Sequence, residues 1–436
     1  MCGVSQFRIK KKMEVTRTEQ FRIKNNSKFW NIIDDLAWKS KNVYNYGNYI
    51  VRQEFIKTSK EKAEGLIEHA HWIRFNDLDK MCQNADCYKE LGSQSSQATL
   101  RALDKNWKSF FASIKDYSKN PGKYNGKPKL PKYKDTEKGR EQVKIKNNQC
   151  QLKDGYIYFS WEPLRSLNNY FKSIYPNDRI FQARFKIRNG DYILEVVHKV
   201  EIPDFEIKNV RIAAIDLGIN NLATIATNCG IPPIVINGKP IKSINSYYNK
   251  TKAAYQCNLK KKTGRNTSKR INCLTVKRND KVNDYLHKAS RMIIDWCSEN
   301  DIDTLVVGHN KNWKQNCKLG HDSLTTKKNN QNFVNIPFNS LIEKLQYKCE
   351  DAGIQFIEIS EEYTSGVSFI DNEPIDKSFY NIKRREHRGM FVSNDGIEIN
   401  ADVNSAYNIL RKAFPDKNIE YDIESCLHPR IITVEK

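Results

Sequence analysis

The sequence predicts two architectures in one chain: an α/β domain over the C-terminal half and, before it, a β-domain interrupted by helices. Three observations lead there. From Val210 onward strand patterns alternate with helical ones, the order that a largely parallel sheet covered by helices requires. Ahead of that, alternating runs at 155–161 and 183–199 read as strands, while apolar residues between 29 and 114 recur at helical spacing. The length, 436 residues, also exceeds what a single hydrophobic core usually accommodates.

The elements follow in order. "QFRIK" occurs at 6–10 and again at 20–24 with Met13 between the copies; either the first dozen residues are an upstream extension or a strand has been duplicated locally. Phe29, Ile33, Leu36, Val43, Gly47 and Ile50 share one helical face. Leu100, Leu103, Trp107, Phe110, Phe111 and Ile114 share another, so the two helices should pack together. "SKNPGKYNGKPKLPKYK" has the Pro and Gly content of a basic loop. In "ARFKIRNGDYILEVVHK" Asn189 and Gly190 separate two alternating runs, the signal of a hairpin. Residues 1–28 and 125–205 are therefore expected to form one β-domain with 29–124 as its helical insert. At Val210 "VRIAAIDLGINNLATIAT" reads as a strand, a glycine turn and a returning strand; 239–298 is a Lys-rich helical insertion. A strand at 304, a helix over 337–352, a strand over 354–360 and a helix from Asp402 complete the order of a ribonuclease H-like α/β domain.

Composition restricts the partners. Lys and Arg number 73 against 51 Asp and Glu, a net charge of +22 that suits a polyanion, a solubilising surface being the plainer alternative. No apolar run approaches the ~18 residues of a membrane span and the N-terminus carries no signal-peptide core, so a cytoplasmic protein without a membrane partner is expected. Eleven cysteines, an odd number without any C-x-x-C, signal neither a disulfide framework nor a zinc knuckle.

Two acids stand where chemistry is done. Asp216 in "AAIDLGINN" sits where an apolar strand meets Gly218, a rigid place for a carboxylate beside a glycine that lets a phosphate backbone approach. An Asp closing a strand is also a common turn-former. Asp402 in "INADVNSAYNILRKAF" lies in the first turn of a helix whose Val403, Ala406, Tyr407 and Leu410 suit a sheet surface, and the competing reading is a helix cap.

Together the "IDLG…NLAT" strand, the "ADVNSAYNI" helix, "KPKLPKYK", "LRALDKNWKSFF" and "EEYTS" resemble the TnpB family, the insertion-sequence OrfB nucleases related to compact type V CRISPR effectors. The likeness runs from about Thr18 to about Phe414. It implies an α/β RuvC (ribonuclease H-like) nuclease domain over 210–436 and an N-terminal β-barrel wedge domain with a helical recognition insert. It also implies RNA-guided, Mg²⁺-dependent cleavage of double-stranded DNA beside a short flanking motif, with a guide RNA as partner; the sequence does not fix the oligomeric state, a monomer being slightly favoured. Base pairing would read the target while the protein reads the flanking motif and the heteroduplex shape. Gln94, Ser95 and Gln97 are then candidates for reading base edges. Lys129, Lys132, Tyr133, Lys260, Lys261, Lys262 and Arg265 are candidates for facing phosphates.

The chain departs from the family pattern twice. A two-ion site needs several carboxylates, and the family usually places a glutamate at the strand end where this chain has Gly308 and His309. "IEISEEYTS" offers Glu361 and Glu362 on the neighbouring strand, similar to family members whose acid stands just before Y-T-S. Glu361, two residues before Tyr363, is the expected third acid beside Asp216 and Asp402, Gly308 clearing the space it crosses. Were the acid lost rather than moved, the same scaffold would be a nuclease-dead, RNA-guided DNA-binding repressor; a strand-joining transposase has only the shared sheet in its favour. The second departure follows Ser365: no cysteine occurs between 350 and 425, so the zinc ribbon of many relatives is not expected. The segment 366–399 remains basic, with Arg384, Arg385 and Arg388 as candidates for a lid contacting the scissile phosphate.

Overall fold

The structure, a computed structural model, describes residues 13–202, 210–310, 331–385 and 389–434. The first "QFRIK" copy and Arg388 lie outside the described residues. The chain divides into two compact units, Met13–Glu201 and the part from Ile202 on.

In the first unit β1 (Met13–Ile23), which carries most of the second "QFRIK" copy, precedes the helices α1 (Trp30–Ala63), α2 (Phe75–Cys82), α3 (Asp86–Leu91) and α4 (Ser93–Lys119). Strands β2 (Val143–Lys146), β3 (Cys150–Lys153), β4 (Tyr156–Phe159), β5 (Arg179–Arg188) and β6 (Asp191–Ile202) follow. The β5–β6 hairpin turns on Asn189 and Gly190 at φ 55° and 91°, the doubly left-handed turn that Asn-Gly favours. α1 and α4 pack at close range, because a Cβ on Gly47 would fall 2.6 Å from a Leu100 methyl. That approach offsets the roughly 1 kcal/mol that glycine costs inside a helix. Trp107 is fully buried beneath it and donates from Nε1 to Asn48 Oδ1 at 3.0 Å.

The expected β-barrel is not what the described residues form. Their sheet is open, ordered β1-β6-β5-β2, with β3-β4 as a separate two-stranded ribbon. Closure would need a connection between the free edges of β1 and β2, and the four-residue strands β3 and β4 pair with each other instead.

The second unit begins with β7 (Ile212–Leu217), β8 (Asn221–Thr227) and β9 (Ile234–Asn237), then α5 (Lys239–Thr263) and α6 (Lys269–Glu299). Next come β10 (Thr304–Gly308), α7 (Phe338–Ala352), β11 (Gln355–Ile359), the short pair β12 (Met390–Val392) and β13 (Glu398–Asn400), α8 (Ala401–Ala413), α9 (Ile423–Leu427) and β14 (Arg430–Ile432). The sheet order is β11-β10-β7-β8-β9-β14, with β10 parallel to both β7 and β11 and β8 antiparallel to its neighbours. Without the added β14 this is the ribonuclease H-like order.

Helices cover both faces. Ala213, Ile215 and Leu217 of β7 join Val282, Leu286, Leu341 and Leu345 of α6 and α7 in one core. Ile212 and Ala214 turn the other way, onto Ile409 and Leu410 of α8. Burial on both faces is why β7 reads as a nearly continuous apolar run. It also fixes the direction of Asp216, which continues the row of Ile212 and Ala214 toward α8. No described helix is long and apolar enough to cross a membrane.

Candidate active site

Asp216 is not a turn-former. It lies within β7, opposite Thr224 of β8 in the antiparallel register. The turn beyond it belongs to Gly218, where a Cβ would meet the Asn221 carbonyl oxygen at 2.5 Å. Gly218 thus serves the β7–β8 connection.

Asp402 is not the cap of its helix either. Asn400 holds that position, its Oδ1 accepting from the backbone N–H groups of Asp402 at 3.0 Å and Val403 at 3.3 Å. The Asp402 carboxylate is left to face β8, where Oδ2 accepts from Asn221 Nδ2 at 2.7 Å. Its Oδ1 stands 3.8 Å from the Arg385 guanidinium.

Glu361 follows the end of β11, two strands from β7 across β10. Gly308 pairs with Ile359, and Ile357 and Ile359 lean on the α8 side, so Glu361 continues that row while Glu362 is exposed. Its backbone is tied on both sides: Asn310 Oδ1 accepts from the Glu361 N–H at 3.1 Å, and the Thr364 hydroxyl donates to the Glu361 carbonyl at 2.8 Å. Asn310 Nδ2 also reaches Glu361 Oε1 at 3.4 Å. The space beside Gly308 is taken mainly by Ile409, 2.4 Å from where a Cβ would stand, with the Glu361 Cβ next at 3.3 Å. The missing side chain therefore seats α8 on the sheet first and admits Glu361 second.

Asp216 senses the other two acids. Burial, and then the negative charges of Asp402 and Glu361, raise the Asp216 carboxyl well above its ordinary range, with Arg385 pulling the other way. Burial pushes Glu361 up to about 7 against the opposing charge of Lys412. As they stand, no three acid, His or Cys side chains among the described residues close into an ion cage. The donor chemistry nonetheless fits a hard divalent cation: three carboxylates converge from β7, β11 and α8, and a cation would relieve the repulsion at Asp216. Beside them the Thr224 hydroxyl is buried without a partner.

The other sequence candidates divide. Arg385 is at the site, its Nη2 donating to the Ala401 carbonyl at 3.3 Å and its buried Nε unpartnered. Arg384 is not available to a phosphate. It donates to Glu373 at 2.7 Å, Asp371 at 2.8 Å and the Val392 carbonyl at 2.9 Å, and lies over the Phe391 ring. Ser95 is only 2% exposed and spends its hydroxyl on the Lys144 carbonyl at 3.0 Å, so it cannot read a base edge here. Gln97 is half-buried and donates to Asp79 at 3.3 Å; Gln94 is half-buried with its Oε1 unpartnered. Lys129, Lys132 and Tyr133 are exposed on the first unit, and Arg52 stacks over Tyr133 at 4.8 Å. Lys260, Lys261, Lys262 and Arg265 are exposed at the tip of the α5–α6 hairpin. Sequence reasoning missed Asn221, Asn310 and Asn400. Their only signal was asparagine recurring in "GINNLAT", "GHNKN" and "EINAD", next to each acid or to its strand partner.

Comparison with known proteins finds two family models, a viral relative and several solved structures. The OrfB IS605 family model, described as "Probable transposase", matches residues 196–314, and that of the Cas12f1-like TNB domain matches residues 338–409. The TnpB-like protein ORF457 of Acidianus two-tailed virus is 25% identical over 424 residues, covering 87% of this chain and 82% of its own. Solved structures are looser likenesses. A Cas12f1–sgRNA–target DNA complex matches at 16% identity and TM-score 0.35, covering 90% of this chain and 98% of that one. The mini-RNA-guided endonuclease CRISPR-Cas phi3 matches at 9% identity and TM-score 0.46, covering 92% of each chain. The two family models match successive stretches of the chain and the viral relative aligns through most of both units, so the chain is similar to TnpB proteins over most of its length.

Proposed function

We propose that this chain is an RNA-guided endonuclease that cuts double-stranded DNA beside a short flanking motif. One observation carries the reading: Asp216 in β7 feels the charges of Glu361 and Asp402, which arrive from the end of β11 and the first turn of α8. In this reading 210–436 is the nuclease domain with 239–298 as its basic insertion and 366–399 as its lid; 1–28 with 125–205 is the wedge, and 29–124 the recognition lobe. Asp216, Glu361 and Asp402 would hold Mg²⁺, which when bound stabilises charge on the attacking and leaving oxygens. Asn221 and Asn310 orient two of the carboxylates by hydrogen bonds. Arg385, with an unpartnered Nε, donates to an oxygen of the scissile phosphate.

The test is plasmid cleavage by the protein with its guide RNA. Glu361→Gln should abolish cutting while guide-dependent DNA binding survives, because neutralising one carboxylate weakens the ion site without touching the guide. Glu362→Gln should cut normally. Loss of cutting only in Glu362→Gln would place the acid one residue on, and normal cutting by both would sink the relocated site.

A further inference from the structure

α5 is 25 residues long, yet only Ile241 and Asn245 are fully buried along it. Its stripe Ile244, Tyr247, Tyr248 and Tyr255 faces α6 without closing on it. A cavity of about 650 Å³ remains between the two helices. The opposite wall carries Arg270, Leu274, Lys277, Arg278 and Lys281, and no carboxylate lines the cavity. The aromatic wall is fixed in place: the hydroxyls of Tyr248 and Thr275 lie 3.1 Å apart, and the Arg270 guanidinium stacks over the Tyr255 ring at 4.2 Å. Tyr247 is 68% exposed at the mouth. A hydrophobic core would not be built this way, since Tyr247 is left exposed and four cations line the cavity without an acid.

We propose that this groove is a stacking site for an unpaired base of single-stranded nucleic acid, with Arg270, Lys277 and Lys281 holding the adjoining phosphates. Its volume falls within the range of small-ligand sites and suits one nucleotide with room for part of a second. Aromatic faces accept any base, and cations beside them track the backbone. A duplex offers no free base face, so the groove selects single strands. The inference rests on the nucleic-acid reading above but uses none of the candidate acids.

The experiment uses RNA-stripped Glu361→Gln protein without metal and a fluorescein-labelled 12-mer of oligouridine, with a 12-base-pair duplex, which carries more phosphates, as comparison. Tyr247→Ala and Tyr255→Ala should each weaken oligouridine binding by about 5- to 150-fold and duplex binding little. Tyr247→Phe, which keeps the ring face, should bind oligouridine as the parent does. Cys273, exposed on the groove wall, gives a readout without substitution there: oligouridine should slow its alkylation, read by mass spectrometry, and the duplex should not. Equal alkylation with and without oligouridine, or equal protection by the duplex, would overturn the proposal even if an alanine variant failed to fold. Full cutting by guide-loaded Glu361→Gln would overturn the catalytic reading and leave the groove's result standing.

Discussion

Asn310 holds Glu361 by backbone and side chain alike: it accepts from the Glu361 N–H at 3.1 Å and the Ser360 hydroxyl at 2.9 Å, and donates to Glu361 Oε1 at 3.4 Å. It follows Gly308 and His309, so the strand end that carries no carboxylate supplies the group that holds Glu361. Asn310→Ala should lower Mn²⁺ affinity and cleavage by about 10- to 100-fold, the usual cost of removing an outer-shell partner, with guide-dependent DNA binding unchanged. Asn310→Asp keeps the one oxygen that accepts both bonds but turns a carboxylate oxygen toward Glu361 in place of the donating amide, so it should be at least as damaging. Mn²⁺ titration followed by electron paramagnetic resonance checks both variants, and unchanged affinity in both would remove Asn310 from the site. The candidate acids could be named from the sequence, because a charge at the end of an apolar strand or the start of an apolar helix shows in one dimension. Asn310 and Asn221 were not, since each acts on a residue 51 and 181 positions away and only the strand register brings them together.

At the scale of elements, the segment after Ser365 shows how a stretch without cysteines holds its shape. Arg384 is the hub: it joins Asp371 and Glu373, and Asn394 adds its N–H to Asp371 at 2.8 Å and its side-chain amide to Glu373 at 2.9 Å. Both carboxylates are largely buried, so Arg384→Ala would leave them facing each other unpaired, at a cost of about 3–5 kcal/mol. The melting temperature should fall accordingly, while EDTA should leave that of the parent protein nearly unchanged. Burial pushes Asp371 up, but the Asn394 N–H, the Ser368 hydroxyl and Arg384 outweigh it and hold the carboxyl below its ordinary range. Its contribution is therefore complete above the unfolded carboxylate pKa of about 3.9 and is lost as pH falls through the lower folded value. Thermal melts from pH 7 to pH 3 should show the Arg384-dependent part of the stability persisting down to about pH 4 and failing only below it. The sequence named Arg384 as a phosphate ligand because its partners, 11 and 13 residues upstream, follow no helical or strand period. Elements with such a period were readable, among them β7–β8, β5–β6, α7 and α8. α2, α3, β3 and β14 were not, being eight residues or fewer in polar surroundings.

For the whole molecule the governing quantity is charge. A net +22 on 436 residues repels itself, and the ion pairs on both units consume acids as well as bases, leaving the excess of cations in place. Several of those cations are exposed where side chains can move to meet phosphates: Lys129 and Lys132 on the first unit, Lys260, Lys261, Lys262 and Arg265 on the second. A polyanion that neutralises them releases its own condensed counterions, which favours binding most at low salt. The purified protein should therefore carry RNA, with a ratio of absorbance at 260 to 280 nm typical of a nucleoprotein that drops after ribonuclease and high-salt washing. Rebinding of that RNA, followed by anisotropy, should weaken by about 300- to 10⁴-fold between 50 and 200 mM salt if six to ten single-strand phosphates are engaged. Replacing Lys260, Lys261 and Lys262 together by Gln should reduce the magnitude of the log–log salt slope by about two, at roughly 0.7 for each single-strand phosphate that is no longer neutralised. A protein-like absorbance ratio before any treatment, together with a salt slope unchanged in the triple variant, would show that the α5 tip is a solvated surface and that the excess charge serves solubility alone.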